Sequence, residues 1–424
     1  MKIALVHQPI GTISPSALGG SIDIWIYEVA RRLARSCDVM VYAKKGRYQK
    51  EVEYDKGVHY RRISSAADEW FTYVSMTADR LFAHAKRPLF ASSLYYLTYI
   101  LQVAKNLKAE KCDVVHLQNF SQFVPIIRAF NPKIKIVLHM HCEWLTQLRR
   151  AVIERRLREV DLVIGCSEYI TEKIRRSFPQ FAKRCQTVYD GVDVNNFVGE
   201  KGSSVEEKKG VKRLLFVGRV SPEKGLHVLL DAFQKVVDHY RQVHLKIVGP
   251  LMRSAFSLAR AYEFIFAVSD DPKISGLEPF YHGSYFSHLK GKISLDVASR
   301  VSFTGFTPYA HLVNHYRDAD ILVNPSFSEA FGMSLVEAMA CQVPVIATRV
   351  GGMKEIVEQG ETGILVEPGD ASVLAEGILR LLLDEDLRKL MGKAARKRAV
   401  ELFSWEKIAE NLLCQYKNIC ECNE

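Results

Sequence analysis

Short apolar runs rich in Val, Ile and Leu recur along this chain between longer stretches of helical periodicity, and this alternation restricts the fold more than any other feature. In the first half the runs are KIALVH (2–7), DVMVYA (38–43), DVVHLQ (113–118), KIVLHM (135–140) and DLVIGC (161–166). They are too uniformly apolar for a sheet with one face in water. Strands buried on both faces belong to parallel sheets, whose crossover connections lay helices over each side. The second half repeats the rhythm with RLLFVG (213–218), HLKIVG (244–249), VSFTG (301–305), DILVNP (320–325), VPVIAT (343–348) and GILVE (363–367). Two doubly wound α/β domains are expected, and 424 residues suffice for both at roughly 100–200 residues each.

The segment VGEKGSSVEEKKGVK (198–212) is Gly, Ser and charge without apolar periodicity, so it marks the domain boundary. The expected units are residues 1–200, residues 201–403, and a terminal helix and tail, 404–424, packing back on the first domain with Ser404 as N-cap. Residues 61–110 and 251–296 exceed ordinary connections, and the second is expected to be an insertion between core strands with some helix of its own. No uninterrupted apolar run reaches the length of a spanning helix, and MKIALVHQPIGT reads as a first strand instead of a signal peptide. A cytoplasmic protein is the expectation. Nine cysteines, an odd number scattered mostly through apolar stretches, read as reduced core residues. Residues 1–200 hold 30 Lys and Arg against 20 Asp and Glu, so the whole net charge of +10 belongs to the first half. Such asymmetry points to an anionic partner there or to a solvated basic surface.

No G-x-G-x-x-G follows any of the expected strands, which removes the usual dinucleotide fingerprint. Glycines nevertheless stand where ligands bind in doubly wound folds, at strand carboxyl ends: LGGS (18–21) in the first half and GRVSPEKG (218–225) in the second. Arg219 and Lys224 in the latter turn offer a bidentate cation and a point charge to an anion, although alone they would read as a solvated basic turn. They are not alone. In NPSFSEAFGMSLVE (324–337), Glu329 and Glu337 flank a turn from a strand into a helix beginning near 333, and a helix N-terminus presents free N–H groups and positive dipole charge to an anion. Carboxylates repel phosphate but accept hydrogen bonds from sugar hydroxyls. Cations, N–H groups and carboxylates together therefore match a sugar joined to a diphosphate, that is, a nucleotide sugar.

The stretch 326–370, SFSEAFGMSLVEAMACQVPVIATRVGGMKEIVEQGETGILVEPGD, with FVGRVSPEKG (216–225), resembles the retaining glycosyltransferases of family 4. The resemblance rests on the E-x7-E spacing of Glu329 and Glu337, the PSFSEAFG run, the PVIAT strand, the VGG turn (350–352) and the G-x-L-V-x-P-G-D ending. VYDGVD (188–193) resembles the interdomain N-G-V-D element, with Asp190 where Asn is usual. The resemblance implies a GT-B fold of two Rossmann-like domains facing across a cleft, the first binding acceptor and the second the donor. It implies that Glu337 holds the nucleotide ribose and Glu329 the donor sugar hydroxyls, supported by backbone N–H groups of Phe331, Gly332, Met333, Ser334 and Leu335. Arg219 and Lys224 would neutralise the diphosphate, and Gly19 and Gly20 would let the first domain's loop reach it. In LHMHCEW (138–144), His141 matches the family's cleft histidine near the donor sugar, and His139 replaces a common Thr. By itself His139 reads as a buried, satisfied core residue, with only Glu143 near enough in sequence to suggest a third metal ligand.

On this reading the expected catalytic residues are His141, Arg219, Lys224 and Glu329, and no metal or cofactor is expected. The donor would be UDP-glucose or a related UDP-hexose, and the acceptor a saccharide or lipid-linked molecule of polysaccharide or glycoconjugate synthesis. Residues 144–158 carry five arginines interspersed with Trp, Leu, Val and Ile, expected to form a basic helix able to lie on an anionic membrane or to pair with Glu154 and Glu159. Other readings are a GDP-mannose-dependent mannosyltransferase, a GT-B sugar-nucleotide epimerase, and a phosphorylase, whose cofactor lysine motif is not found. A nucleic-acid partner, suggested by the pI near 9.0, is set aside because of the carboxylate pair.

Overall fold

The computed structural model of the chain describes residues 1–14, 18–79, 88–198, 210–251, 269 and 271–421. Two compact units emerge: Met1–Asp190 with Trp405–Glu424, and Gly191–Ser404. The charged segment 198–212 lies largely outside the described residues, and the units divide earlier, at Asp190. Residues just after the division are tied to the second unit because arginines there bind their carbonyls. Arg396 donates to Val194 and Phe197, and Arg317 to Asn196 and Val198. The Val192 N–H also donates to Phe403 O at 2.7 Å.

In the first unit, the described strands are β1 (Lys2–Val6), β2 (Asp38–Lys44), β3 (Val52–Asp55), β4 (Val58–Ile63), β5 (Val114–Gln118), β6 (Lys135–Met140), β7 (Leu162–Gly165) and β8 (Cys185–Thr187). They form one sheet in the order β3-β4-β2-β1-β5-β6-β7-β8. All neighbours run parallel except the β3–β4 hairpin. Strands β1, β2, β5 and β6 are almost wholly buried, as their continuous apolar runs require. The terminal helix Trp405–Glu421 packs in this same unit, with Trp405 and Tyr416 fully buried and Arg32 bonded to Glu406 at 2.9 Å.

The second unit contains β9 (Lys212–Val217), β10 (Val243–Val248), β11 (Val301–Gly305), β12 (Ile321–Asn324), β13 (Val345–Thr348) and β14 (Gly363–Val366). Their order is β11-β10-β9-β12-β13-β14, all parallel. This is the doubly wound order in which the chain reverses direction across the sheet between β9 and β12, where ligands bind in such folds. Helix Leu226–His239 packs its apolar face into a core with Leu214, Phe216, Leu245, Ile378 and Leu381.

One sequence expectation changes. The basic stretch 144–158 is not one helix: it breaks into Trp144–Gln147 and Arg150–Leu157, because Leu148 and Arg149 adopt extended ψ angles of 172° and 112°. Arg156 is consequently buried, donating to Ser121 and Ala91, and Glu159 pairs with Arg128 instead of the local arginines. The insertion expected at 251–296 contains the helices Pro272–Ser275 and Tyr285–Lys292, while 252–268 lie outside the described residues.

Candidate active site

At the carboxyl end of β9 the chain turns through Gly218 and Arg219 into a single 3-10 turn, Pro222–Lys224, closed by Gly225 in the left-handed region (φ +69°). A Cβ at Gly225 would lie 2.1 Å from Pro325 O, so only glycine lets this turn lie against the segment leaving β12. The two loops are further joined by the Phe327 N–H donating to Glu223 O at 2.8 Å. This approach brings Lys224 to Glu329: Nζ donates to Oε2 at 2.6 Å, and both side chains are mostly buried. A cation and a carboxylate so shielded attract each other more strongly than in water, and each is placed to exchange its partner for a ligand group of opposite character.

The segment from β12 into the following helix is shaped by glycine twice. Gly332 has φ +119° and precedes helix Met333–Ala340, in whose first turn the Leu335 N–H donates back to Gly332 O at 2.9 Å. Gly351 has φ +50°, and a Cβ there would stand 1.7 Å from Glu329 O, while the Gly352 N–H donates to that same oxygen at 3.2 Å. The VGG turn therefore holds the Glu329 backbone by contact and by hydrogen bond. Phe331 and Leu335 are buried, whereas Met333 and Ser334 are partly exposed at the first turn. Ser334 Oγ is 3.5 Å from Asn324 Nδ2 at the end of β12. Glu337, one turn on, is buried and accepts a 2.5 Å bond from the Tyr316 hydroxyl. Burial pushes its carboxyl up to about 7, and the Tyr316 bond offsets that only in part.

Glu223, Tyr281 and Tyr316 were not singled out in the sequence, and the structure places them against the expected residues. Glu223 is buried, accepting from Ser221 Oγ at 2.6 Å and Arg219 Nη2 at 3.2 Å on Oε1, and from Tyr281 OH at 2.9 Å on Oε2. Burial alone would raise this carboxyl, but Arg219, Lys224 and the Ser221 bond hold it below the usual range. The guanidinium of Arg219 is half exposed, so it is anchored at one edge and open at the other. Tyr281 belongs to the insertion, which also stacks Phe280 on His227 and bonds Tyr285 OH to His227 Nδ1 at 2.8 Å. The Ser-Pro-Glu-Lys run gave the only local signal for Glu223; nothing local points to Tyr281.

In the first unit, Gly20 caps helix Ser21–Leu33 with extended backbone, and its N–H donates to Asp23 Oδ2 at 3.0 Å. Asp23 Oδ1 lies 2.8 Å from His7 Nε2 at the end of β1, so the glycine loop is tied to the strand it follows. Gly19 and Gly20 are exposed, and 15–17 lie outside the described residues. His139 and His141, at the end of β6, lie against the indole of Trp25 at ring separations of 4.9 and 5.8 Å. The His141 N–H donates to Asn119 Oδ1 at 2.6 Å, and its Nε2 is 2.7 Å from Gln118 Oε1. Asp190 Oδ1 lies 3.3 Å from His141 Nδ1 without hydrogen-bond alignment. His139 is buried as expected but not satisfied, because its Nε2 has no partner among the described residues. Burial holds His139 and His116 well below the ordinary imidazole range, so both rings are neutral. The third candidate metal ligand is Asp190, not Glu143, which instead accepts from Tyr169 and Lys173.

Residues 200–398 match the glycosyl transferases group 1 family and residues 22–196 match glycosyltransferase family 4, so the two profiles together span most of the chain. The chain belongs to the family 4 glycosyltransferases. Spore coat protein SA of Bacillus subtilis is 27% identical to this glycosyltransferase over 98% of this chain and 99% of its own. Lipopolysaccharide 1,2-N-acetylglucosaminetransferase of Salmonella typhimurium is 26% identical over 98% of each. The crystal structure of Anabaena HepE, in complex with UDP and glucose, superposes with a TM-score of 0.70 at 19% identity, covering 99% of this chain and 100% of that one. The fold is thus GT-B, with two Rossmann-like domains, and the glycosyltransferase is a nucleotide-sugar-binding transferase.

Proposed function

We propose that this glycosyltransferase moves a hexose, with retention of anomeric configuration, from UDP-glucose or a related UDP-hexose to a hydroxyl of a saccharide or lipid-linked acceptor, without a metal. The observation that carries the reading is the Lys224–Glu329 pair, set where β9 and β12 end and just ahead of helix Met333–Ala340. On donor binding, Lys224 and Arg219 take the diphosphate, and Glu329 turns to the sugar hydroxyls. Glu337 accepts from the ribose, and the N–H groups from Phe331 to Ser334, at and just before the helix start, complete the anion site, whereas the expected Leu335 N–H is already given to Gly332 O at 2.9 Å. His141 contributes from the first domain. The C1–O bond to the diphosphate breaks, the acceptor oxygen bonds C1 on the same face, and the acceptor proton passes to the leaving phosphate oxygen. Fixed cations and N–H dipoles stabilise the charge that develops on that leaving group, the role a metal would otherwise fill.

UDP as donor base is supported by the UDP held in the HepE crystal, and a saccharide acceptor by the name of the Salmonella relative. Among the described residues no helix is long and apolar enough to cross a membrane. Arg149, Arg150, Arg155 and Arg158 are exposed, which supports peripheral contact with anionic lipid at the cytoplasmic face. Flotation with vesicles that does not depend on acidic lipid would remove that contact. The donor reading is tested by calorimetric titration of UDP, GDP, ADP and their sugar conjugates, in chelator, into the wild type and Glu337→Ala. Micromolar binding of the uridine series, weakened in the variant, is expected; binding of the guanosine series alone would move the donor to GDP-mannose. Binding of none by folded protein would overturn the donor site.

A further inference from the structure

His139 and Asp190 lie 51 residues apart in the chain and meet at one point in the first unit. His141 joins them there. One ligand atom from each of His139, His141 and Asp190 lies within 4.8 Å of the others, and two of the three residues are buried. His139 Nε2 and Asp190 Oδ1 are both buried and without hydrogen-bond partners among the described residues. We infer that these three side chains bind a divalent transition metal, zinc or a metal of similar preference, through two imidazole nitrogens and one carboxylate oxygen.

The surroundings agree with that donor set. A metal-bound histidine is oriented by a hydrogen bond from its other ring nitrogen. His141 Nε2 is 2.7 Å from Gln118 Oε1, which leaves Nδ1 facing Asp190 at 3.3 Å. His139 Nδ1 is 3.2 Å from His116 Nε2, and His116 Nδ1 is 2.5 Å from the Tyr416 hydroxyl. When His139 donates along this line, its buried, unpartnered Nε2 carries the lone pair. Two imidazole nitrogens and a carboxylate oxygen within 4.8 Å of one another in a largely buried space are best accommodated with a cation among them. The cation commonly bound by two imidazoles and a carboxylate is zinc, at about 2.0–2.2 Å from each, with a further position open to water or ligand. An Asn at 190 would supply a neutral amide oxygen in place of the anionic ligand. The inference concerns the first unit and does not depend on the donor reaction.

The test uses the full chain, stripped with chelator and titrated with Co2+ followed by visible absorption, then with Zn2+ by calorimetry. One equivalent is expected, with ligand-field bands and no thiolate charge-transfer absorption, which separates this site from the cysteines. Asp190→Asn and His139→Ala should each weaken Zn2+ binding by roughly 10- to 100-fold or more. If His139→Ala does not fold, Asp190→Asn, which changes a carboxylate to an amide of the same shape, decides alone. Absence of ligand-field bands, a thiolate signature, or unchanged affinity in a folded Asp190→Asn protein would overturn the site and leave a proton as the cation shared by His141 and Asp190.

Discussion

Lys224 Nζ donates to Glu329 Oε2 at 2.6 Å although the two residues are 105 apart in sequence. On the proposed donor reading, each would exchange the other for a ligand group. A diphosphate has use only for the cation, and a sugar hydroxyl has use for the carboxylate.

Removing the cation, Lys224→Ala, should lower kcat/KM for the donor roughly 10²- to 10³-fold, the range for deleting one charge-stabilising donor from an active site. The double variant with Glu329→Ala should cost less than the sum of the single losses, since each single change leaves the partner's charge buried and unpaired. Steady-state kinetics on the three proteins measures the coupling. Strict additivity would mean that the two do not act on one substrate.

On the proposed donor reading, Glu337 should make stability and nucleotide binding depend on pH in opposite senses. Its carboxyl rises from an ordinary 4.5 to about 7 on folding. A raised acid favours the folded state while it is protonated, so its contribution is complete below about 4.5 and is lost as pH climbs to about 7, in total of order 3 kcal/mol. Glu337→Gln should flatten that part of the stability profile, read by denaturant titration at several pH values. The ionised form accepts ribose hydroxyls best, so binding of the nucleotide should tighten as pH rises through about 7. Glu337→Gln should weaken it roughly 10- to 100-fold, as for a hydrogen bond to a charged group.

Two glycines separate backbone strain from collision. Gly351→Ala and Gly360→Ala both place a side chain at positive φ, +50° and +81°, which costs about 1 kcal/mol or more. At Gly360 nothing lies within 4 Å, whereas at Gly351 the new Cβ meets Glu329 O at 1.7 Å. Thermal unfolding should show a clearly larger loss for Gly351→Ala, and donor KM should rise in that variant alone.

Tyr281→Phe removes the hydroxyl that donates to Glu223 Oε2 at 2.9 Å. A buried carboxylate losing one partner should destabilise the protein by roughly 1–3 kcal/mol. Because Glu223 Oε1 also accepts from Arg219, kcat/KM for the donor should fall while a nucleoside lacking phosphate binds as before. Equal weakening of both ligands would reduce Tyr281 to a packing role.

The apolar runs at 135–140 and 301–305 coincide with β6 and β11, and most of the other core strands lie within a residue or two of their runs. A strand buried on both faces writes its burial directly into its composition. The hairpin strand β3 was not legible, since its residues alternate between exposed and half-buried positions and resemble a loop. The break at Leu148 and Arg149 was not legible for a related reason: the apolar and basic residues continue at helical spacing across a turn set by the extended ψ of those two residues.

Glycine turns, the helix start at Met333 and the spacing of Glu329 to Glu337 are short-range features, and the sequence alone determined them together with the doubly wound class of both halves. Tertiary structure alone decided that Lys224 meets Glu329, that Tyr316 lies on Glu337, that Tyr281 of the insertion holds Glu223, and that Asp190 closes on His139 and His141. The physical reason is one of range. Backbone preference and burial act on neighbours in the chain and leave a period that can be read. A hydrogen bond or a shared cation acts over about 3 Å of space, and which residues share that space depends on how strands distant in sequence are ordered in the sheet.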